Sequence, residues 1–132
     1  MATIEDLIKK IIDFNHARGW NPVPQDIAKS IVIEAAELLE LYQWDASDSR
    51  DNLGSNTKPK DIDKLEAEVA DVIWYIVTFC HETGINLADA VEYKLKHNEK
   101  KYPAKMFNGR HNDDFYKKRK AEYRQNKNEG QN

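Results

Sequence analysis

The sequence predicts an all-α fold, a four-helix bundle followed by a short C-terminal helix and a disordered tail. Three observations carry this. Apolar residues recur at helical spacing in four segments, each segment is bounded by a cap, a glycine or a proline, and no run alternates polar and apolar as a strand would. A chain of 132 residues fits one domain, because two would each be left with a marginal core. The expected division is a helical domain over 1–110 and a basic tail over 111–132.

The first helix is expected from about Thr3 to Arg18. Thr3 and Asp6 resemble a capping box, Ile4, Leu7, Ile8, Ile11 and Ile12 keep the period, and Gly19 ends it. Asn21-Pro22-Val23-Pro24 reads as a turn, and a second helix follows from about Gln25 to Tyr42. Residues 45–60 are polar and aperiodic and read as a loop. A third helix runs from Asp61 to Thr83 and closes at Gly84. A fourth, capped by Asn86, runs from Leu87 to about Tyr102 and stops at Pro103. A short helix is expected near Asp113–Arg124, and the last residues, NKNEGQN, read as disordered.

Net charge is −3, which argues against nucleic acid as a partner of the whole molecule. The charge is nevertheless uneven. Residues 104–132 hold eight basic and four acidic side chains, against 12 basic and 19 acidic over 1–103. The one cysteine, Cys80, sits in an apolar run and reads as a small core residue. The longest apolar run, Val72 to Cys80, is far short of the ~20 residues that span a bilayer. The start of the chain has no apolar leader, and cytoplasm is the expected location.

Four acidic residues break the apolar pattern. On a helical wheel, Glu68 falls within about 60° of Leu65, Val72, Tyr75 and Phe79, inside the apolar face, with Asp71 three residues on. Glu34 falls within about 60° of Ile27, Ile31 and Leu38, and Glu37 shares its side of the helix. Burying an unpaired carboxylate is costly, and clustered carboxylates raise one another's pKa. If the two helices are antiparallel neighbours, the four acids meet, and a divalent cation removes the conflict. Hard oxygen donors suit Mg²⁺, with Mn²⁺ as a substitute. The competing reading is a set of partly exposed acids paired with Lys or Arg. On the fourth helix Lys94, Asn98 and Lys101 share one stripe. Beside a metal they would hold phosphate oxygens, and alone they would be a solvated face.

Taken together, IVIEAAELLELYQW in the second helix, EVADVIWYIVTF in the third and KLKHNEKKYP closing the fourth resemble the MazG family of all-α nucleoside triphosphate pyrophosphohydrolases. The order and spacing of ExxE, ExxD and the closing Lys…Asn…basic-Tyr-Pro segment agree over roughly residues 5–103. The likeness is greatest to the short dCTP pyrophosphatase-like members. It implies hydrolysis of a (d)NTP to (d)NMP and pyrophosphate, a nucleotide-pool house-cleaning role, and a deoxypyrimidine preference such as dCTP. It implies that Glu34, Glu37, Glu68 and Asp71 are the catalytic, metal-holding set. Trp20 and Trp44 would stack on the base, and Lys94, Asn98, Lys101 and Tyr102 would bind substrate. Members of the family are usually dimers or tetramers, so a homo-oligomer is expected. The chain departs from the family at Pro24, where members often carry a His.

In this reading one of the four acids, or a nearby carboxylate such as Glu40, orients the attacking water, and Lys94 and Lys101 stabilise charge on the phosphates. No Ser or Cys lies beside an obvious His base, so no covalent nucleophile is expected. Three alternatives remain open: a phosphoribosyl-ATP pyrophosphohydrolase-like enzyme on the same scaffold, a non-catalytic helical interaction module, and a nucleic-acid binder acting through the basic tail.

Overall fold

In the computed structural model, residues 1–43, 61–107 and 113–130 are described. The element order is α1 (Ile4–Ala17), α2 (Pro24–Glu40), α3 (Ile62–Thr83), α4 (Leu87–Lys101), α5 (Ala104–Phe107) and α6 (Asp113–Glu129), with no strand among the described residues. The expected loop over 45–60 lies outside the described residues. The chain divides into two compact units, Met1–Asn86 and Leu87–Asn132.

In the first unit α3 is the central helix, against which α2 and α1 both pack. The ends of these helices follow the sequence closely. Thr3 and Asp6 form the reciprocal capping box of α1. The Asp6 amide donates to Thr3 Oγ1 at 3.1 Å, and the Thr3 amide donates to Asp6 Oδ2 at 3.0 Å. Gly19, at φ 64°, takes the left-handed conformation that turns the chain toward α2. Pro24, expected in the turn, is instead the first residue of α2, where its missing N–H costs nothing. Asp61 caps α3 by accepting from the Lys64 amide at 3.2 Å. Gly84, at φ 72°, closes α3, and the Ile85 amide bonds back to the Cys80 carbonyl at 2.9 Å.

Little of this unit is fully dry. Ile27 and Val77 are the buried apolar side chains among the described residues. Ile4, Leu7 and Phe14 of α1, Val32, Ile33 and Leu39 of α2, and Ile62, Val69 and Ile73 of α3 are exposed. The buried polar residues among those described are Asn15 and Thr78, and they bond to each other. Asn15 Nδ2 donates to Thr78 Oγ1 at 3.0 Å, Thr78 Oγ1 donates to the Trp74 carbonyl at 2.8 Å, and Trp74 Nε1 donates to Asn15 Oδ1 at 3.1 Å. This closed network locks α1 onto α3. Replacing Asn15 with Leu leaves the part-buried indole N–H without its acceptor, and a loss of ~1–3 kcal/mol in unfolding free energy is expected from chemical denaturation. The Asn15→Leu/Trp74→Phe pair should lose less than the sum of the single changes. Additive losses would mean that the network contributes nothing as a unit.

The second unit departs from expectation. Among the described residues the C-terminal segment is longer and more regular than the short helix expected. It is the 17-residue α6, which runs through Asn126–Glu129, part of the stretch expected to be disordered, before Gly130. The helix is rich in Lys, Arg, Glu and Gln, residues of good helix propensity, and it packs on α4. The short α5, not foreseen, follows Pro103.

Candidate active site

The carboxylates converge as their faces predict. Carboxylate oxygens of Glu34 and Glu37 on α2 and Glu68 on α3 all lie within 4.8 Å of one another. Glu34 and Glu68 are half-buried, and Glu37 is exposed. Asp71 is outside this tight group but close enough to act electrostatically on both Glu34 and Glu68. Glu40 acts on Glu68 in the same way. The pairing order, Glu40 with Glu68 and Glu34 with Asp71, is that of antiparallel helices.

Two observations mark this cluster as more than a solvated acidic face. Glu68 Oε2 is buried and has no hydrogen-bond partner. Among the described residues, none of the ion pairs, Lys9–Asp13, Lys29–Asp26, Lys64–Asp61 and Lys96–Glu92, involves these acids. An orphaned carboxylate oxygen beside two further carboxylates forms an all-oxygen donor set, which fits a hard divalent cation.

The pKa directions agree with this geometry. Burial first, then the charges of Glu37 and Asp71, push Glu34 and Glu68 above their ordinary carboxyl value. Without metal, the folded chain therefore binds more protons than the unfolded chain between the ordinary value of 4.5 and the raised one. Stability should rise as pH falls through that window, be lost as pH rises through it, and level off on either side. Thermal melts in EDTA across the window check this. Glu68→Gln should flatten the pH dependence and raise the neutral-pH midpoint. A midpoint well below wild type would instead identify Glu68 as a structural partner.

The other candidates fall in different places. Trp20 is 54% exposed and stands edge-on to Phe14, with ring centroids 5.8 Å apart, while its backbone amide bonds the Asn15 carbonyl at 3.0 Å. Phe14 also meets Trp74 edge-on at 5.0 Å and carries the Arg18 guanidinium 3.3 Å over its ring. Trp44 lies outside the described residues. Lys94, Asn98 and Lys101 are on α4, with Tyr102 just after it, in the second unit. Cys80 is half-buried, not in the dry core as expected, and burial pushes its thiol pKa up, which disfavours the reactive thiolate.

Sequence reasoning did not identify Asn15, Trp74 and Thr78. The signal was available, because Asn15 follows Ile8, Ile11 and Ile12 by seven, four and three residues and so interrupts an apolar stripe as Glu68 does.

Comparison with known proteins points the same way. The chain is 30% identical over 109 residues to dCTP pyrophosphatase 1 of Rattus norvegicus, covering 81% of this chain and 63% of the relative. It is 29% identical over 106 residues to the Homo sapiens protein of the same name, covering 79% and 61%. The chain thus spans less than two thirds of the length of these curated relatives. The fold is similar to the crystal structure of a pyrophosphatase from Archaeoglobus fulgidus, with a TM-score of 0.66 and 36% identity over 78% of this chain and 94% of that one. Residues 29–113, which include the acidic motifs of α2 and α3 and all of α4, match the MazG-like family. The chain belongs to the MazG-like family.

Proposed function

We propose that the chain is a divalent-metal-dependent nucleoside triphosphate pyrophosphohydrolase, converting a (d)NTP and water to the (d)NMP and pyrophosphate. The observation that carries this reading is the convergence of Glu34, Glu37 and Glu68 around an orphaned carboxylate oxygen. The name of the relatives, dCTP pyrophosphatase 1, supports the reaction class and dCTP as the substrate to expect.

Glu34, Glu37, Glu68 and Asp71 would hold Mg²⁺, or Mn²⁺ in its place. Bound there, the ion supplies neutralisation of triphosphate charge and Lewis-acid activation. The chain's own residues do the rest. Glu40, beside Glu68, orients the attacking water and accepts its proton. Lys94 and Lys101 stabilise charge on the phosphoryl group and the departing pyrophosphate, Asn98 bonds a phosphate or sugar oxygen, and Tyr102 contacts the substrate. Trp20 and Trp44 stack on the base. The test is a panel of dNTPs and NTPs with Mg²⁺, read by phosphorus NMR. Pyrophosphate and a monophosphate are expected, and orthophosphate with a diphosphate would overturn the reading.

We also propose a homo-oligomer in the cytoplasm. The exposed apolar side chains of α1, α2 and α3 support self-association, and among the described residues no helix is long and apolar enough to cross a membrane. Light scattering on the purified chain checks the assembly, and a monomer at micromolar concentration would refute it.

A further inference from the structure

The basic C-terminal segment has no role in the reading above, yet its contacts in the second unit fall on the end of α4 that carries Lys101 and Tyr102. Arg119 of α6 donates from Nε to the Lys101 carbonyl at 2.6 Å, and more weakly from Nη2 to the Lys100 carbonyl at 3.5 Å. These carbonyls belong to the last turn of α4, which leaves such acceptors without helical partners. The Lys101 ammonium lies 5.1 Å from the centroid of the Tyr102 ring and 5.3 Å from that of Tyr123. Tyr102 stacks on Tyr116 at 5.1 Å, with ring planes 22° apart, and Tyr123 meets His97 edge-on at 5.4 Å.

A lysine in the last turn of a helix can fold back to cap the terminal carbonyls. Here the cap is a guanidinium from another helix, and the lysine head is held by two aromatic rings instead. Ring contact uses the cation's charge without using up its N–H donors, so they stay available to an anion. It also restricts a side chain that would otherwise lose much rotamer freedom on binding.

We infer that α6 is a positioning element for substrate phosphate: Arg119 and Tyr123 hold Lys101 in place to receive it. This rests on the proposal that Lys101 meets the triphosphate. Arg119 and Tyr123 act through Lys101 and are not catalytic residues.

A double-mutant cycle on the full chain tests the inference, with dCTP and Mg²⁺ as substrate. Arg119→Ala and Tyr123→Leu should each lower kcat/KM roughly 3–10-fold, whereas Tyr123→Phe, which keeps the ring, should stay near wild type. In a Lys101→Ala background Arg119 still meets the backbone carbonyl of residue 101, but the ammonium it positions is gone, so Arg119→Ala should have a much smaller effect. Equal losses in both backgrounds, or an unchanged kcat/KM in Arg119→Ala, would overturn the inference. Calorimetric binding of inorganic tripolyphosphate with Mg²⁺, run on the same four proteins of the cycle, gives a readout without turnover. If wild type hydrolyses no nucleotide, the proposed activity fails, while the tripolyphosphate cycle still decides whether Arg119 works through Lys101. Absence of coupling there overturns the inference by itself.

Discussion

Glu68→Gln is expected to lower kcat by about a hundredfold or more, the scale of losing a metal ligand or its close support. Of the four acids Glu68 should matter most. It is the one whose carboxylate oxygen is buried without a partner, and it lies in the tight group with Glu34 and Glu37. Replacing Glu34 or Glu37 by the amide, or Asp71 by Asn, should also cost about a hundredfold. The substitutions keep shape and volume, so the circular dichroism of metal-free protein should be unchanged. Isothermal titration with Mg²⁺ and Mn²⁺ separates lost binding from lost chemistry. Full turnover in EDTA, or in Glu68→Gln, would show that the acids serve packing or surface charge alone.

The second large effect is expected at Trp20. The residue is more than half exposed although its ring packs edge-on to Phe14, so one part is anchored and the rest is open to a planar ligand. Stacking on an aromatic is worth about 1–3 kcal/mol per base, so Trp20→Ala should raise KM roughly five- to a hundredfold with little change in metal affinity. Trp20→Phe should retain most of the binding. The measurement is quenching of tryptophan fluorescence by a non-hydrolysable dCTP analogue with Mg²⁺, together with KM for each nucleotide. A wild-type KM in Trp20→Ala for every substrate would move the base pocket elsewhere. The deoxypyrimidine preference is tested in the same series, because a stacking platform alone scarcely separates one base from another.

The acidic site was legible because an ionised side chain inside an apolar helical face conflicts with its surroundings, and Glu68 shows that conflict in one dimension. The helix ends were legible for a similar reason. Thr3, Asp61, Gly19, Gly84 and Pro103 act within a few residues of themselves, and the chain follows them. What escaped depends on partners distant in sequence. Asn15 and Thr78 are 63 positions apart, and Arg119 meets Lys101 across 18. No local pattern tells which neutral polar residue will find its mate, or that a basic tail will fold back on its own chain. Composition also misled at Asn126–Glu129, where polarity was read as disorder although the helix continues.

The scarcity of dry apolar side chains in the first unit has a thermodynamic consequence. Heat capacity change and denaturant sensitivity both scale with the apolar surface that unfolding exposes. With Ile27 and Val77 as the buried apolar residues among those described, and others only half-buried, a solitary chain has less such surface to expose than a closely packed domain of its length. Its melting curve should be shallow and spread over a wide range of temperature. A sharp transition should emerge only when the exposed isoleucine, leucine and valine side chains of α1, α2 and α3 are themselves covered, and its midpoint should then climb with protein concentration.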